Sequence, residues 1–449
     1  MAPTDGGGER PDIPDSPVAL AQTPIDEAAA AQIALTAAPD LMAGSLAEYA
    51  RLWLRRVRGG ESGALPVVIG LIAIVTYFQI RSSLFLSASN LVNLMTQAAF
   101  IIMFGMAEVF VLLLGEIDLS VGFNAAMGAV ITLWLLSFSH PLPLWLAVLA
   151  GLAYSGAYAG IQGVIITRLR LPSFVVTLAG YLGGFGLLLF LIDTAAPGSG
   201  GTVRLNNTIL YNIDSSGVGI NPTAGWIAMA AAVVVAGGFM MVRDSRRRAA
   251  SLAAPPASVT LLKVALMAAA GVAVVLIGNA NRGSGLAVVE GVPWVVLVVL
   301  VVLVIWTVLL NRTRFGRYIY AIGGNAEAAR RAGINLGRIR ILAFVLCGVT
   351  AAIGGIIYSS FLTSMSNNFN GGQYVLYAVA AAVIGGTSLF GGRGRMLGAV
   401  LGGLVVGVIY NGLFLLGLGP AAQNMWTAAV LLAAVTVDAL ARRGSTNPG

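Results

Sequence analysis

Across its 449 residues the chain is 58% hydrophobic and only 10% charged. This composition excludes a soluble globular protein and indicates a helical bundle in a lipid bilayer. The net charge of +8 is compatible with nucleic-acid binding, but the basic residues flank apolar runs. Their distribution therefore indicates the orientation of the chain in the membrane, and we expect no nucleic-acid partner.

The N-terminal region has two parts. Residues 1–40 are rich in Pro, Gly, Ala and Asp and have no apolar core, which predicts a disordered cytoplasmic tail. Within residues 41–60, Leu46, Tyr49 and Trp53 share one helical face and arginines occupy the other. This pattern predicts an amphipathic helix lying in the membrane interface.

Repeated apolar runs predict an all-α polytopic membrane protein with a membrane domain over residues 65–441. About twelve transmembrane helices fit the pattern, with ten to fourteen possible. We place the spans at residues 65–80, 91–114, 119–138, 142–166, 172–192, 225–242, 262–280, 292–310, 339–361, 374–390, 396–417 and 421–440. Of the 26 basic residues, 22 flank the spans on one side of this arrangement and Arg10 lies in the distal tail. Only Arg81, Arg204 and Arg282 lie on the other side. The asymmetry predicts that both termini are cytoplasmic.

Three carboxylates lie in or beside the second and third spans. Glu108, Glu116 and Asp118 each cost at least ~2.5 kcal/mol at that depth unless they reach water or a partner. One interpretation is that Asp118 caps the next helix and that Glu116 accepts hydrogen bonds from backbone N–H groups or an arginine. A gating or substrate-facing role and a proton relay are the alternatives. Gly115, Glu116, Asp118 and Gly122 are thus the candidate residues of a helix break or gate.

The glycines of this region have a counterpart late in the chain. The pattern Gly115, Leu119, Gly122 and Gly128–Val130 recurs as Gly385, Leu389, Gly392 and Gly398–Val400. If it reflects a duplication, the two candidate breaks lie at related positions of two halves, as in many transporters.

Two loops flank the middle of the chain. The polar, turn-rich stretch from Asp193 to Gly225 predicts a sizeable external loop. The basic loop from Arg243 to Arg248 predicts contact with the headgroups of anionic membrane lipids.

The charged segment over residues 311–340 separates two long apolar runs and predicts a short cytoplasmic helix. Asn325 is a favourable N-cap, and Glu327 lies in the first turn, where a negative charge suits the helix dipole. Arg330 and Arg331 occupy the last turn, and Gly333 supplies the left-handed position that ends the helix. A helix of about 10 Å does not persist alone. It needs a surface, which the membrane, the bundle or another protein can provide.

Several functional classes are excluded by what the sequence lacks. There is no GxxxxGK[ST] motif, and the single lysine, Lys263, lies in an apolar run, so the chain has no P-loop for ATP. His140 and Cys347 are the only residues of their types and have no partners of metal-ligand spacing. We therefore predict no catalytic residue, no metal and no cofactor. A transporter, a channel or a receptor remains.

Uncharged polar and aromatic residues in or near the spans supply a candidate substrate path. The set comprises Asn93, Gln97, Asn124, Tyr358, Asn367, Asn368 and Tyr377. Such a lining suits a neutral sugar better than an amino acid or a phosphate, whose charges require fixed counter-charges.

Four motifs together resemble one family. They are GEIDLSVG (Gly115–Gly122), LPSFVVTLAG (Leu171–Gly180), RTRFGRYIYAIGGNAEAARRAGI (Arg312–Ile334) and GGTSLFGGRGRMLGAVLG (Gly385–Gly402). In this order they are similar to the permease subunits of the ribose/xylose group of bacterial ATP-binding-cassette (ABC) sugar importers. The extra pair of spans around RDSRRR is most similar to xylose permeases.

The resemblance implies a homodimeric permease in the bacterial inner membrane that imports a neutral monosaccharide, xylose above all. Its partners would be a cytoplasmic ABC ATPase, which hydrolyses ATP, and a periplasmic sugar-binding protein. The segment Asn325–Gly333 would be the coupling helix that docks on the ATPase. A secondary, ion-coupled sugar transporter and a channel are the alternatives.

Overall fold

A computed structural model of the chain describes residues 45, 47–52, 65–137, 141–250, 252, 254–283 and 287–419, with parts of 421–432. The predicted tail at 1–40 and His140 lie outside the described residues. So do most of the predicted interfacial helix, of which residues 47–52 are helical, and most of the predicted span 421–440.

The described chain is mostly helical. Its helices are α1 (Leu65–Arg81), α2 (Ala88–Leu112), α3 (Val121–Leu136), α4 (Leu144–Leu169), α5 (Ser173–Ala195), α6 (Thr208–Ile213), α7 (Pro222–Ala249), α8 (Ala257–Asn279), α9 (Trp294–Arg312), α10 (Arg314–Gly324), α11 (Ala326–Arg331), α12 (Leu336–Leu362), α13 (Gly371–Ile384) and α14 (Met396–Leu415). Eight are long and apolar enough to cross a membrane, and α1, α3 and α13 are shorter apolar helices. The polytopic helical fold is therefore confirmed, although the described residues supply eight full-length spans rather than twelve.

The expectation of a purely helical fold is corrected by four short strands. Strand β1 (Thr202–Arg204) pairs antiparallel with β4 (Ser364–Ser366), and β2 (Gly219–Ile220) pairs antiparallel with β3 (Val292–Pro293). Strands β1 and β2 and helix α6 give regular structure to the polar, turn-rich loop between Asp193 and Gly225, and β3 and β4 pair with it from later parts of the chain.

The core is built around α2 and α12. In α2, 94% of the residues in its apolar 18-residue stretch are buried, whereas only 11% are buried in the corresponding stretches of α7 and α8. Helix α12 packs against α2, α3 and α4. Small residues permit this close approach: Gly355 lies so near the Ala125 carbonyl that a Cβ atom would overlap it.

Helix α12 also connects the two ends of the bundle. At its start, Gly337 lies against Thr167 of α4. Near its other end, the Ser360 hydroxyl donates to the Leu210 carbonyl and accepts from the Asp214 N–H. We call the end formed by residues 313–340 and the loops 113–120 and 385–395 the coupling end.

The described residues of 1–53 and 239–263 form a compact unit of their own. Within it, the Asp244 carboxylate accepts hydrogen bonds from Arg243 Nε (2.7 Å) and from the Thr260 hydroxyl (3.0 Å). The Lys263 Nζ atom lies 6.0 Å from the ring centroid of Tyr49.

Candidate coupling and gating site

Helix α11 has the form that the sequence predicts. The Asn325 side chain accepts a hydrogen bond from the Ala328 N–H (2.9 Å), which satisfies one of the free donors at the helix start. Gly333 has a φ of +79°, and the Ile334 N–H reaches back to the Ala329 carbonyl (3.1 Å). These are the contacts of a Schellman C-cap. The predicted caps are therefore confirmed.

The charged side chains of α11 face outwards. Glu327 pairs with Arg330 (3.1 Å) and with Arg331 (3.2 Å), and all three side chains are more than half exposed. Ala329 is the buried residue of the helix. Such exposed pairs add little stability. Their charges therefore remain available to a partner.

The first break lies at residues 113–120, between α2 and α3. Gly115 has a φ of +76°, which only glycine adopts without strain. Gly122, expected within the break, instead lies in the first turn of α3, where it contacts Gly371. The break thus ends two residues earlier than predicted.

Side chains from several helices brace the first break. Glu108 of α2 accepts a hydrogen bond from the Asp118 N–H (3.1 Å), and Thr177 of α5 donates to the Ile117 carbonyl (3.2 Å). Gln162 of α4 donates to the Ser120 hydroxyl (2.9 Å). Because these contacts come from three helices, the break is held as one built unit rather than a loose loop.

Asp118 acts inside the break rather than as the cap of α3. Its Oδ1 atom accepts from the Ser120 N–H (2.8 Å) and hydroxyl (2.6 Å), and its Oδ2 accepts from the Cys347 thiol (3.8 Å). The N-cap of α3 is Ser120, which makes no side-chain cap hydrogen bond. The capping prediction for Asp118 is therefore wrong. Its carboxylate closes a turn before the helix begins.

Glu116 forms an ion pair with Arg340. The Glu116 side chain is 10% exposed and that of Arg340 is 32% exposed, so water screens the pair only in part. This is the contact with an arginine that the bracing hypothesis expects. It joins the first break to α12 four residues after that helix begins.

The second break, at residues 385–395, lies directly on the first. The Gly392 N–H donates to the Leu113 carbonyl (2.9 Å). Gly391 and Gly392 have φ values of +85° and +72°. The two glycine-rich stretches that resemble each other in sequence are thus neighbours in space. Their left-handed positions do not correspond, since Gly385, the counterpart of Gly115, has a φ of −68°.

Helix α10 rests on both breaks. Its Gly323 lies so close to the Leu113 carbonyl and the Gly392 N–H that no side chain fits there. The Tyr320 hydroxyl donates to the Gly394 carbonyl (2.8 Å). Burial raises the pKa of Tyr320, and nearby Arg395 lowers it in part, so the phenol remains a donor at neutral pH. We call the contact of Gly323 with Leu113 and Gly392 the coupling junction.

An aromatic cluster lies towards the other end of α12. The Tyr358 ring centroid is 5.1 Å from that of Phe369 and 5.2 Å from that of Tyr374, and Phe369 stacks on Tyr374 at 4.9 Å. Phe100 of α2 adds an edge-to-face contact at 5.2 Å from Tyr358. Eighteen residues separate Tyr358 from Arg340, which is about 27 Å along a helix. The cluster is therefore remote from the breaks.

The seven predicted path residues are not brought together into one channel by the described residues. Tyr358 belongs to the aromatic cluster, and Tyr377 borders it, accepting a hydrogen bond from Gln373 Nε2 (2.6 Å). Asn93, Asn367 and Asn368 are exposed.

Two predicted path residues hold helices together instead. Gln97 accepts from Asn411 Nδ2 (3.0 Å), and Asn411 also exchanges hydrogen bonds with Asn90. Asn124 Nδ2 donates to the Ser155 carbonyl (3.1 Å). Because a buried amide needs partners, each side chain binds a group on another helix, which is a side-chain amide for Gln97 and a backbone carbonyl for Asn124.

Residues that sequence reasoning missed include Gly323, Gln162 and Thr177. The paired glycines at 323 and 324, in an otherwise helical stretch, were the available signal of a close backbone approach. The sequence shows Arg340 only as one basic residue of a charged segment. Its partner lies more than two hundred positions away, so no local pattern identifies it.

Comparison with known proteins places the chain in context. Residues 90–436 match the family model described as "Branched-chain amino acid transport system / permease component". The xylose transport system permease protein of Haemophilus influenzae is 32% identical over 388 residues, which is 84% of this chain and 97% of that protein. Its Escherichia coli K12 counterpart is 33% identical over 402 residues (86% and 96%). The ribose import permease protein of E. coli K12 is 29% identical over 390 residues (87% and 95%). No solved structure matches the chain.

Proposed function

The chain belongs to the permease family of branched-chain amino acid transport systems, and on this premise we propose that it moves a neutral monosaccharide, most specifically xylose, into the cytoplasm as the membrane subunit of an ABC importer. The chain is a transport component of the inner membrane and not an enzyme. ATP hydrolysis is assigned to a separate ATPase chain.

The observation that carries this proposal is the arrangement at the coupling end. An exposed, doubly capped helix, α11, is joined without a flexible linker to α10, whose last turn rests on both breaks. A helix of six residues does not persist alone. Its position between two longer helices, α10 and α12, suits a docking role. We assign Asn325, Glu327, Arg330, Arg331 and Gly333 to contact with a cytoplasmic ATPase.

Movement of α11 would reach the break by two routes. One is the coupling junction at Gly323, and the other is the Glu116–Arg340 ion pair. ATP binding shifts the permease between inward- and outward-open states only if the contacts of α11 differ between them. Both routes act on the first break at residues 113–120, in which we assign Gly115, Glu116 and Asp118 to the gate.

The substrate is assigned from chemistry and from the relatives. A branched-chain amino acid is a zwitterion and requires fixed charges of both signs, whereas the aromatic cluster and the predicted path residues carry none. Aromatic faces and amides suit the apolar ring face and hydroxyls of a sugar. The xylose permeases of two bacteria are similar over nearly their whole length, which supports xylose as the first substrate to test.

The remaining partners follow from the same premise. We assign a periplasmic sugar-binding protein to the end opposite α11 and a second copy of the chain as dimer partner. The orientation, with both termini and α11 cytoplasmic, rests on the charge asymmetry. Asn325→Cys in a Cys347→Ala background should be protected from an impermeant thiol reagent in intact cells, and labelling there contradicts the orientation.

The decisive experiment is uptake of labelled xylose into vesicles that contain the permease, its ATPase and its binding protein. Accumulation should require ATP and all three components. Uptake of ribose but not xylose would leave the importer standing and refute the substrate. Matched vesicles without ATP but with an imposed proton gradient are the control.

A proton-driven secondary carrier is the second candidate. It is favoured by Glu108, which is fully buried, with an Oε2 atom that has no hydrogen-bond partner among the described residues. Intramembrane carboxylates of this kind serve proton transfer in many transporters. Accumulation in the gradient-only control would establish this candidate and exclude the importer.

A further inference from the structure

An apolar groove runs along the outer surfaces of α4 and α12. It has a volume of about 770 Å³ and is lined by Ala153, Ala157 and Ile161 of α4 and by Ile341 and Val345 of α12, among others. Its lining comes from these two helices alone and contains no charged side chain. Ile161 is 61% exposed. The groove is thus open to its surroundings, and its volume is typical of ligand sites.

Arginines continue both walls of the groove at the coupling end. Arg168 follows the lining residue Val164 by four positions, and Arg338 precedes Ile341 by three. Both therefore lie on the helical faces that form the walls. The contact between Gly337 and Thr167, where a Cβ on the glycine would be 2.6 Å from Cγ2 of the threonine, holds the two helix ends together.

These positive charges are not neutralised. Arg168, Arg338 and the neighbouring Arg170 are exposed, and none of them forms an ion pair with any acidic side chain in the part of the chain that the structure describes. Arg168 and Arg170 lie at the end of α4 and Arg338 at the start of α12, so all three positive charges belong to the same end of the groove, where like charges repel one another. An anion bound between them would remove that repulsion.

We propose that the groove binds an anionic phospholipid, with an acyl chain between α4 and α12 and the headgroup phosphate between Arg168, Arg170 and Arg338. The guanidinium fork matches the geometry of a phosphate. Basic pockets between transmembrane helices are established lipid-headgroup sites in other proteins. The apolar lining requires a hydrocarbon occupant, and the arginines require it to end in a negative charge.

Charge also disfavours the other occupant that the groove could take, a second copy of the chain. In a two-fold symmetric pair the same surface patch is used by both copies. The arginines of both copies would then meet at the same mouth without any acidic partner. A lipid instead supplies the missing negative charge.

The site has a consequence for coupling. Arg338 lies two residues before Arg340, which pairs with Glu116 in the first break. A lipid that bridges Arg168 and Arg338 therefore holds the start of α12 against α4, next to the segment through which α11 acts.

The test is the binding of phosphatidylglycerol to the delipidated full-length protein in detergent, followed by native mass spectrometry. Phosphatidylcholine is the neutral comparison lipid. Arg168→Gln/Arg338→Gln should weaken phosphatidylglycerol binding about 25-fold, at about fivefold for each arginine. The matched control Arg314→Gln/Arg317→Gln removes two arginines from the same end, away from the groove, and should leave binding unchanged.

A second pair of variants tests the hydrocarbon part of the site. Ala157→Trp fills the groove and should displace phosphatidylglycerol, whereas Leu182→Trp, on the exposed face of α5, should not. Equal binding in all variants, or equal affinity for phosphatidylcholine, overturns the proposal. Disulfide-linked dimers of Ala153→Cys in a Cys347→Ala background would identify a second copy as the occupant and also overturn it.

Discussion

Addition of a single methyl group to α10 tests whether the coupling junction transmits movement. Gly323 packs on the Leu113 carbonyl and the Gly392 N–H, and a Cβ there would fall far inside the 3.0 Å that real Cβ contacts respect. The adjacent Gly324 has nothing within 4 Å of its Cβ position and no positive φ. Gly323→Ala and Gly324→Ala are therefore the same substitution one residue apart, in a filled and in an empty position.

The expected magnitudes follow from these surroundings. Gly323→Ala forces backbone against backbone, which costs about 1–3 kcal/mol as overpacking. The hydrogen bond from Gly392 to Leu113 contributes about 0.5–1.5 kcal/mol and is lost as α10 moves away. The combined destabilisation is about 1.5–4.5 kcal/mol. Gly324→Ala should be neutral or stabilising by up to about 1 kcal/mol, since the unfolded chain loses freedom.

Two assays separate stability from coupling. Thermal unfolding of the purified protein should show a lower midpoint for Gly323→Ala only. ATP-driven sugar uptake should fall about tenfold or more in Gly323→Ala, because 1.4 kcal/mol of shifted equilibrium corresponds to a factor of ten. Co-purification of the ATPase should persist, since the exposed face of α11 is unchanged.

The reasoning is refuted if the two variants behave alike. Equal uptake and equal midpoints would mean that α10 does not press on the breaks. Normal uptake with a lowered midpoint would leave the packing correct and remove the junction from the transmission route.

Glu116→Gln should destabilise the protein by about 1–3 kcal/mol, because it leaves the partly buried Arg340 without its counter-charge. Thermal unfolding should show a matching loss of stability in Arg340→Gln. Partial recovery in the double variant Glu116→Arg/Arg340→Glu would confirm the ion pair. Asp118→Asn should retain much of the transport activity, since an amide oxygen still accepts the hydrogen bonds from Ser120; severe loss of uptake in a folded, normally expressed variant would show that the charge itself is needed. Burial raises the pKa of Asp214 well above its ordinary range, so the native state binds this proton more tightly than the unfolded chain, and stability should fall as pH rises from the ordinary aspartate pKa towards the raised one. Asp214→Asn should flatten that slope, and an unchanged pH profile of the unfolding midpoint would contradict the assignment.

Local patterns predicted helix α11 well. Its N-cap and its C-terminal glycine depend on residues within a few positions of each other, so Asn325 and Gly333 were sufficient to place it. The bundle and most helix positions followed in the same way from runs of apolar residues, because burial in lipid is a property of each run by itself.

The site beyond that helix depended on distant residues. Gln97 and Asn124 were assigned to a polar path, but each finds its partner on another helix, Asn411 and Ser155 respectively. Buried amides satisfy each other wherever packing permits, and the sequence alone does not show which helices are neighbours. The shortness of α13, 14 residues long, was missed for a similar reason. Its apolar run continues to Phe390, but the helix stops at Ile384, where the glycine-rich second break begins.

The pairing of β1 with β4 has a consequence for biosynthesis. Thr202–Arg204 and Ser364–Ser366 are separated by roughly 160 residues, which at about 5–20 residues per second take roughly 8–32 s to translate. During that interval the nascent chain holds an unpaired strand edge, which is a template for association with other chains. A chain truncated before Ser364 therefore lacks the partner of β1 and keeps this edge open, and the complete chain closes the edge only after α12 has been synthesised.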